Sequence, residues 1–260
     1  IRDIALAADE SQNEEDLIVF WTYDPKNVND DLKKIYGFRI NNAATLSTGN
    51  EVTISEPANY IRNKDIGESI DAEWDGNISK PRLTWTERNS SLDEYDTWSA
   101  RVTFSLQTGH ADGISNAHEV YSDSSNDSVN PRICVSEADG VYNSTTDDIA
   151  ESFVGVTCND DAMRIDLQAS SSSDNWQTPE TYKSDITDKE MDVTYRIIGD
   201  PRHVFIDSSD AYYDDKLIDH DIDLLAVKAC TNKDNRRDIY TTYHIGSSSS
   251  AKLIIRQIIP

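Results

Sequence analysis

Apolar and polar residues alternate along much of the chain. Trp98, Ala100, Val102, Phe104 and Leu106 fall on one side of an extended backbone, with Arg101, Thr103 and Ser105 on the other. The same period of two fits Leu83 with Trp85, Met163-Ile165-Leu167 and Ile239-Thr241-Tyr243-Ile245. Polar turn sequences separate the runs: Gly49-Asn50, Glu87 to Asp96, Ala138-Asp139-Gly140 and Asn159-Asp160-Asp161. Roughly ten to thirteen short strands follow. They predict an all-β chain, an antiparallel β-sandwich or a jelly-roll-like fold. Trp85, Trp98, Val102 and Phe104 are expected to share one buried face.

Helical signals are few. Asp30 to Gly37 has acids in its first turn, lysines in its last and Gly at the stop position, which predicts one short helix; Ile1 to Ala8 is a second, weaker candidate. Residues 1–260 read as one domain, with the serine run inside 169–176 as an internal loop boundary. A second run, Gly246 to Ser250, tethers a terminal segment, 252–259. Its Leu253, Ile254, Ile255, Ile258 and Ile259 are apolar on both faces. This segment is expected either to pair as a strand with another subunit or to fold back as a central strand of its own sandwich.

Charge narrows the function. There are 48 acidic and 24 basic side chains, a net charge of -24. That field repels phosphates, so nucleic acid is excluded as a partner, as is an anionic membrane surface. No run of about 18 apolar residues occurs, so no membrane span is expected. The acids are 34 Asp and 14 Glu against 11 Lys. Short, strongly hydrated carboxylates suit either high salt or a calcium-loaded extracellular protein. The chain opens on Ile1 with no basic or apolar leader sequence, which reads as a mature, secreted chain.

Candidate chemistry is sparse. Asp219, Asp221 and Asp223, with Asp214 and Asp215 nearby, place carboxylates at alternating positions as a Ca2+ loop would, but Leu224 and Cys230 stand where an EF-hand needs Gly and Glu. His110, Asp112 and His118 are a weaker metal set. Cys134 and Cys158, on neighbouring predicted strands, are the candidate disulfide, with three reduced thiols as the alternative. Sequons at Asn77, Asn89, Asn126 and Asn143 are glycosylation candidates in polar turns. No catalytic motif or nucleotide-binding loop is present, and no catalytic residue is assigned. Trp74, between Glu73 and Asp75, and Trp176 lack apolar neighbours in sequence and are candidates for exposed sugar-stacking rings.

These features point to a non-enzymatic extracellular assembly subunit at a cell or virion surface, a filament, layer or shell component forming a homo-oligomer or polymer. The alternatives are a secreted carbohydrate-binding module with a glycan ligand, or a glycan-active enzyme. With an excess of 24 negative charges, compaction is opposed by self-repulsion that salt screens. The melting midpoint is therefore expected to rise from low salt to molar NaCl, or on adding Ca2+. An unchanged midpoint in all three conditions would mean that the charge serves solubility alone.

Overall fold

Alternation becomes strand after strand in the computed structural model, which describes residues 3–9, 16–23, 33–40, 60–76, 78–105, 109–135, 151–169, 173–186, 191–197, 200–207, 210–213, 216–219, 228–231, 239–245 and 252–258. No helix occurs among them. Both helical expectations are overturned, since Ile4–Asp9 and Lys33–Ile40 are strands.

Five antiparallel sheets follow one another along the chain. The first is β1 (Ile4–Asp9), β2 (Asp16–Tyr23), β3 (Lys33–Ile40) and β4 (Arg62–Lys64); the second is β5 (Ile66–Asp75), β6 (Lys80–Arg88), β7 (Tyr95–Phe104) and β8 (Ala111–Tyr121). The third contains β9 (Ser128–Val135), β10 (Glu151–Cys158), β11 (Asp161–Ala169), β12 (Asp174–Trp176) and β13 (Glu180–Lys183). The fourth is β14 (Met191–Ile197), β15 (Asp200–Asp207), β16 (Asp210–Tyr213) and β17 (Lys216–Asp219). The fifth is β18 (Lys228–Thr231), β19 (Ile239–Ile245) and β20 (Lys252–Ile258). Apart from β13, which returns to β11, each strand pairs with its neighbour in sequence. The order is a series of meanders, without the long return connection that makes a jelly roll. Turn chemistry explains the tight hairpins: Cys158 pairs with Asp161, and Asn159 and Asp160 between them both have positive φ, at 49° and 63°. Ala169 and Asp174 are cross-strand partners, so 169–176 joins two strands of one sheet.

The first strands of successive sheets adjoin, β1 to β5, β5 to β9, β9 to β14 and β14 to β18. Apolar clusters fill the spaces between sheets. One joins Ile18, Phe20 and Ile35 of the first sheet to Ile66, Ile70, Trp74, Leu83, Trp85 and Val102 of the second. Another packs Cys134, Phe153 and Ala162 of the third against Met191, Val193 and Phe205 of the fourth. Gly155 marks how closely those two sheets approach, because a Cβ there would lie 2.6 Å from Val193 Cγ1 and 2.9 Å from Met191 Cε. The predicted Trp face is thus real at Trp85 and Val102, both fully buried; Trp98 and Phe104 are half-buried and pack at the rim of the cluster.

The space between the second and third sheets is mixed. The third sheet lines it with an apolar cluster of Ile133, Val154, Val156 and Ile165, joined by Val120 of β8, and the second sheet lines it with polar side chains. Strand alternation points Asp71, Asp75, Arg82, Thr84, Thr86, Thr97, Ser99 and Arg101 toward the third sheet, and all are buried. Asp174 of β12 enters this layer as its hub. Arg82 donates to it from Nη1 at 2.9 Å and Nη2 at 3.1 Å, and from Nε to Asp75 at 2.6 Å. Arg101 donates to the same carboxylate from Nε at 3.1 Å and also from Nη2. Burial opposes the charge on Asp174, but the hydrogen bonds from Arg101 and Arg82 outweigh it and hold its carboxyl below the usual range. Carboxylates also seal the strand edges: Ile133 N–H donates to Asp71 Oδ2 at 3.0 Å and Val135 N–H to Glu73 Oε2 at 2.6 Å.

Removing Arg82 would take one charged partner from Asp75 and one from Asp174 in a buried layer. Arg82→Ala is expected to cost about 3–5 kcal/mol in urea unfolding, whereas Arg88→Ala at the exposed Arg88–Asp93 pair should leave the midpoint almost unmoved. Equal small effects of both would show that the layer is open to water.

Candidate functional site

Among the described residues, those singled out from the sequence do not converge on one site. Asp219 ends β17, paired with Ala211, while Asp214, Asp215, Asp221 and Asp223 lie outside the described residues. Among the described residues no three His, Cys, Asp or Glu side chains form a metal-holding group. His110 packs edge-on against Phe38 at 5.0 Å, and His118 is exposed further along β8. The expected Cys134–Cys158 bridge is not formed. Register places Cys134 opposite Phe153 and Cys158 opposite Ser128, at opposite ends of the β9–β10 pair, and the two thiols belong to different clusters on opposite faces of the sheet. Burial pushes the Cys158 thiol pKa up.

Of the sequons, Asn77 and Asn143 lie outside the described residues. Asn89 and Asn126 sit in turns, with their Nδ2 groups donating to Asp96 Oδ2 at 2.9 Å and Asp123 Oδ1 at 3.2 Å. Trp74 is not an exposed platform: it is buried in the first cluster, with the Arg39 guanidinium 5.7 Å from its ring. The flanking Glu73 and Asp75 point to the other, ionic side of the sheet. Trp176 is half-buried against the cluster around Ile165. Leu253, Ile254, Ile255 and Ile258 lie in β20, which pairs with β19 of its own chain from Ile239↔Ile258 to Ile245↔Lys252; Ile259 is outside the described residues. β20 is the last strand of its sheet rather than a central one.

The surface feature that stands out is one that the sequence reading missed. In the first sheet Ala5, Ala7, Ile18, Phe20, Ile35 and Gly37 face inward and are buried. The outward positions are Ile4, Leu6 and Ala8 on β1, Leu17, Val19, Trp21 and Tyr23 on β2, and Lys34, Tyr36, Phe38 and Ile40 on β3. Cross-strand pairing sets Ile4 beside Trp21, Leu6 beside Val19, and Trp21 beside Tyr36. Ile4 and Leu6 are 53% and 56% exposed. None of these eleven positions is acidic, although composition alone, 48 acids in 260 residues, would place about two there. At its β2–β3 end the face is aromatic: Trp21 and Tyr36 stack at 5.7 Å, Tyr23 meets Tyr36 edge-on at 6.5 Å, and the Lys34 ammonium lies 4.9 Å from the ring centre of exposed Tyr60.

No protein-family model and no curated protein matches the chain.

One buried titratable group stands apart from this face. His203 on β15 lies between the rings of Tyr182, stacked at 3.7 Å, and Phe153 at 5.5 Å. Burial, aided by the positive Arg164, lowers its pKa from 6.5 to about 3. The imidazole is therefore neutral in the folded chain, and below pH 6.5 it gains a proton more readily when unfolded. Its share of stability is complete above pH 6.5 and is lost as pH falls toward 3. Replacing it in His203→Phe is expected to reduce the acid loss of stability between pH 6.5 and 5 by on the order of 2 kcal/mol relative to wild type. Parallel losses in the two proteins would show that the imidazole protonates in place.

Proposed function

We propose that the chain is a non-enzymatic extracellular assembly subunit of a surface filament, layer or shell, which associates with further copies of itself through the outer face of β1, β2 and β3. The observation that carries this reading is the acid-free apolar sheet face on a chain of charge -24. Two such chains repel each other over most of their surface, and this face lets them approach without burying unpaired carboxylates. Strands with apolar residues on both sides belong, in physical terms, in a sheet covered on both sides. A second copy stacked at the usual sheet separation of about 10 Å supplies that cover.

Size refines the reading. About ten side chains are fewer than the roughly 20–30 residues a side of a standard stable interface. The contact is therefore weak singly and suits an array, where many copies hold one another. High salt strengthens it by screening repulsion and favouring apolar burial.

Sedimentation of the full chain in low salt and in molar NaCl tests this. Concentration-dependent association that grows with salt and is abolished by Leu6→Glu, with the melting midpoint retained, is the expected result. A wild type that stays monomeric in both, or an association that Leu6→Glu leaves intact, overturns it.

A further inference from the structure

We infer that the aromatic end of the first sheet, where β2, β3 and β4 meet, is a binding site for an acidic saccharide, an oligosaccharide carrying uronic acid carboxylates. This goes beyond the self-association reading; Trp21, Tyr23, Lys34 and Tyr36 belong to that face too, so saccharide and second copy compete for it, and a substitution at Leu6 separates them.

Three observations converge there. Tyr23 and Tyr60 are each nearly half exposed, at 45% and 46%, and together with the stacked Trp21 and Tyr36 they present ring faces and edges at one end of the sheet. The axial C–H groups of a pyranose pack against such rings, because these C–H groups are weakly positive and ring faces weakly negative. Polar groups lie alongside. Asn63 is the cross-strand partner of Lys34 and only partly buried, so its amide lies beside the ammonium although its Oδ1 is itself covered. Phenolic hydroxyls of the tyrosines can donate to a sugar hydroxyl or accept from one.

Charge selects the ligand class. Lys34 pairs across the strands with Asn63 on the aromatic face, whereas Lys33, paired with Lys64, lies on the opposite face with buried Ile35. Among the described residues none of the three lysines has a carboxylate within ion-pair distance, in a chain with twice as many acids as bases. The ion pairs near β4 are made by arginines instead: Arg62 with Glu87, and Arg88 with Asp65. Lys34 lies on the aromatic side, over Tyr60, where a carboxylate on a stacked sugar would meet it. A neutral sugar would leave this ammonium without a counter-charge, which an anionic sugar supplies.

Titration calorimetry with the full chain can decide, using a galacturonic acid hexamer and a maltose-series hexamer as probes at moderate salt. It is run on the Leu6→Glu variant as well as the wild type, so that saccharide binding is read independently of self-association. The expected result is binding of the uronate at least tenfold tighter than the neutral hexamer in both backgrounds. Lys34→Gln should reduce that preference to within a few fold. Tyr23→Ala, at an exposed position that folding tolerates, should weaken uronate binding by about tenfold with the melting midpoint unchanged. Absence of binding heat overturns the proposal. So does equal affinity for the two hexamers, or uronate binding indifferent to Lys34 and Tyr23. Co-sedimentation with phosphatidylcholine vesicles that depends on Trp21 but not on Lys34 would assign the aromatic end to a lipid surface instead, and would likewise overturn it.

Discussion

Asp174 holds the middle of the molecule together. One carboxylate, carried on a three-residue strand, accepts from two arginines of the neighbouring sheet, and Asp75 takes the remaining arginine donor at hydrogen-bonding distance. Ionised groups taken out of water are tolerated only when nearly every donor and acceptor is matched. The polar part of the layer between the second and third sheets is therefore far less forgiving than the apolar layers on either side of it. An apolar layer tolerates sliding and repacking, whereas the fork of a guanidinium on a carboxylate fixes both distance and orientation. The register of two sheets is set by this hub.

The remaining carboxylates divide into those that do such work and those that repel. Asp71 and Glu73 take the place of a strand by accepting from backbone N–H groups of β9. Glu94, in contrast, is half-buried among Asp93, Asp123 and Asp127; desolvation and its hydrogen bond with Asp127 raise its pKa. Asp3 shows a third situation, since burial raises its pKa although Ile70 and Ile4 N–H groups donate to it. Their signs oppose that of His203. A carboxyl with a raised folded-state pKa favours the folded chain most when protonated, at acid pH, and loses that advantage as pH rises through the folded value. The acid behaviour of the whole chain is thus a difference between opposing groups rather than the sum of like ones.

Strand content and the all-β class were legible because period-two alternation survives wherever one face is buried and the other is not. Leu83, Trp85 and Val102 were placed by it correctly. The reading failed where both faces are covered. Trp74 looked exposed because its neighbours Glu73 and Asp75 are acids, yet those acids belong to the ionic layer and the indole to the apolar one. Gly37 imitated a helix stop, but it is needed in a strand because the Phe20 ring lies 2.9 Å from where its Cβ would be. The outer face of the first sheet was written plainly in Ile4-Ala5-Leu6-Ala7-Ala8 and Leu17-Ile18-Val19-Phe20-Trp21. Its meaning depended on knowing which side was already occupied. The placing of Lys34 beside Tyr60 and Asn63 could not be seen in one dimension, since residues 60 to 64 reach β3 only through the β3–β4 pairing.

The meander order bears on how such a chain comes to be folded. Each sheet is made of strands that are consecutive in sequence, so most strand pairs close over short loops at small entropic cost, the longest connections being 41–61 before β4 and 136–150 before β10. A sheet can be complete soon after its own strands have emerged from a ribosome or translocation channel, before the following sheet exists. Stacking then proceeds in the direction of synthesis, and the second sheet presents a half-finished face bearing Arg82 and Arg101 until residue 174 arrives, 92 positions after Arg82. During that interval the two guanidinium groups keep that face wet and in solution. The clamp that later locks the layers first acts as a guard against premature collapse.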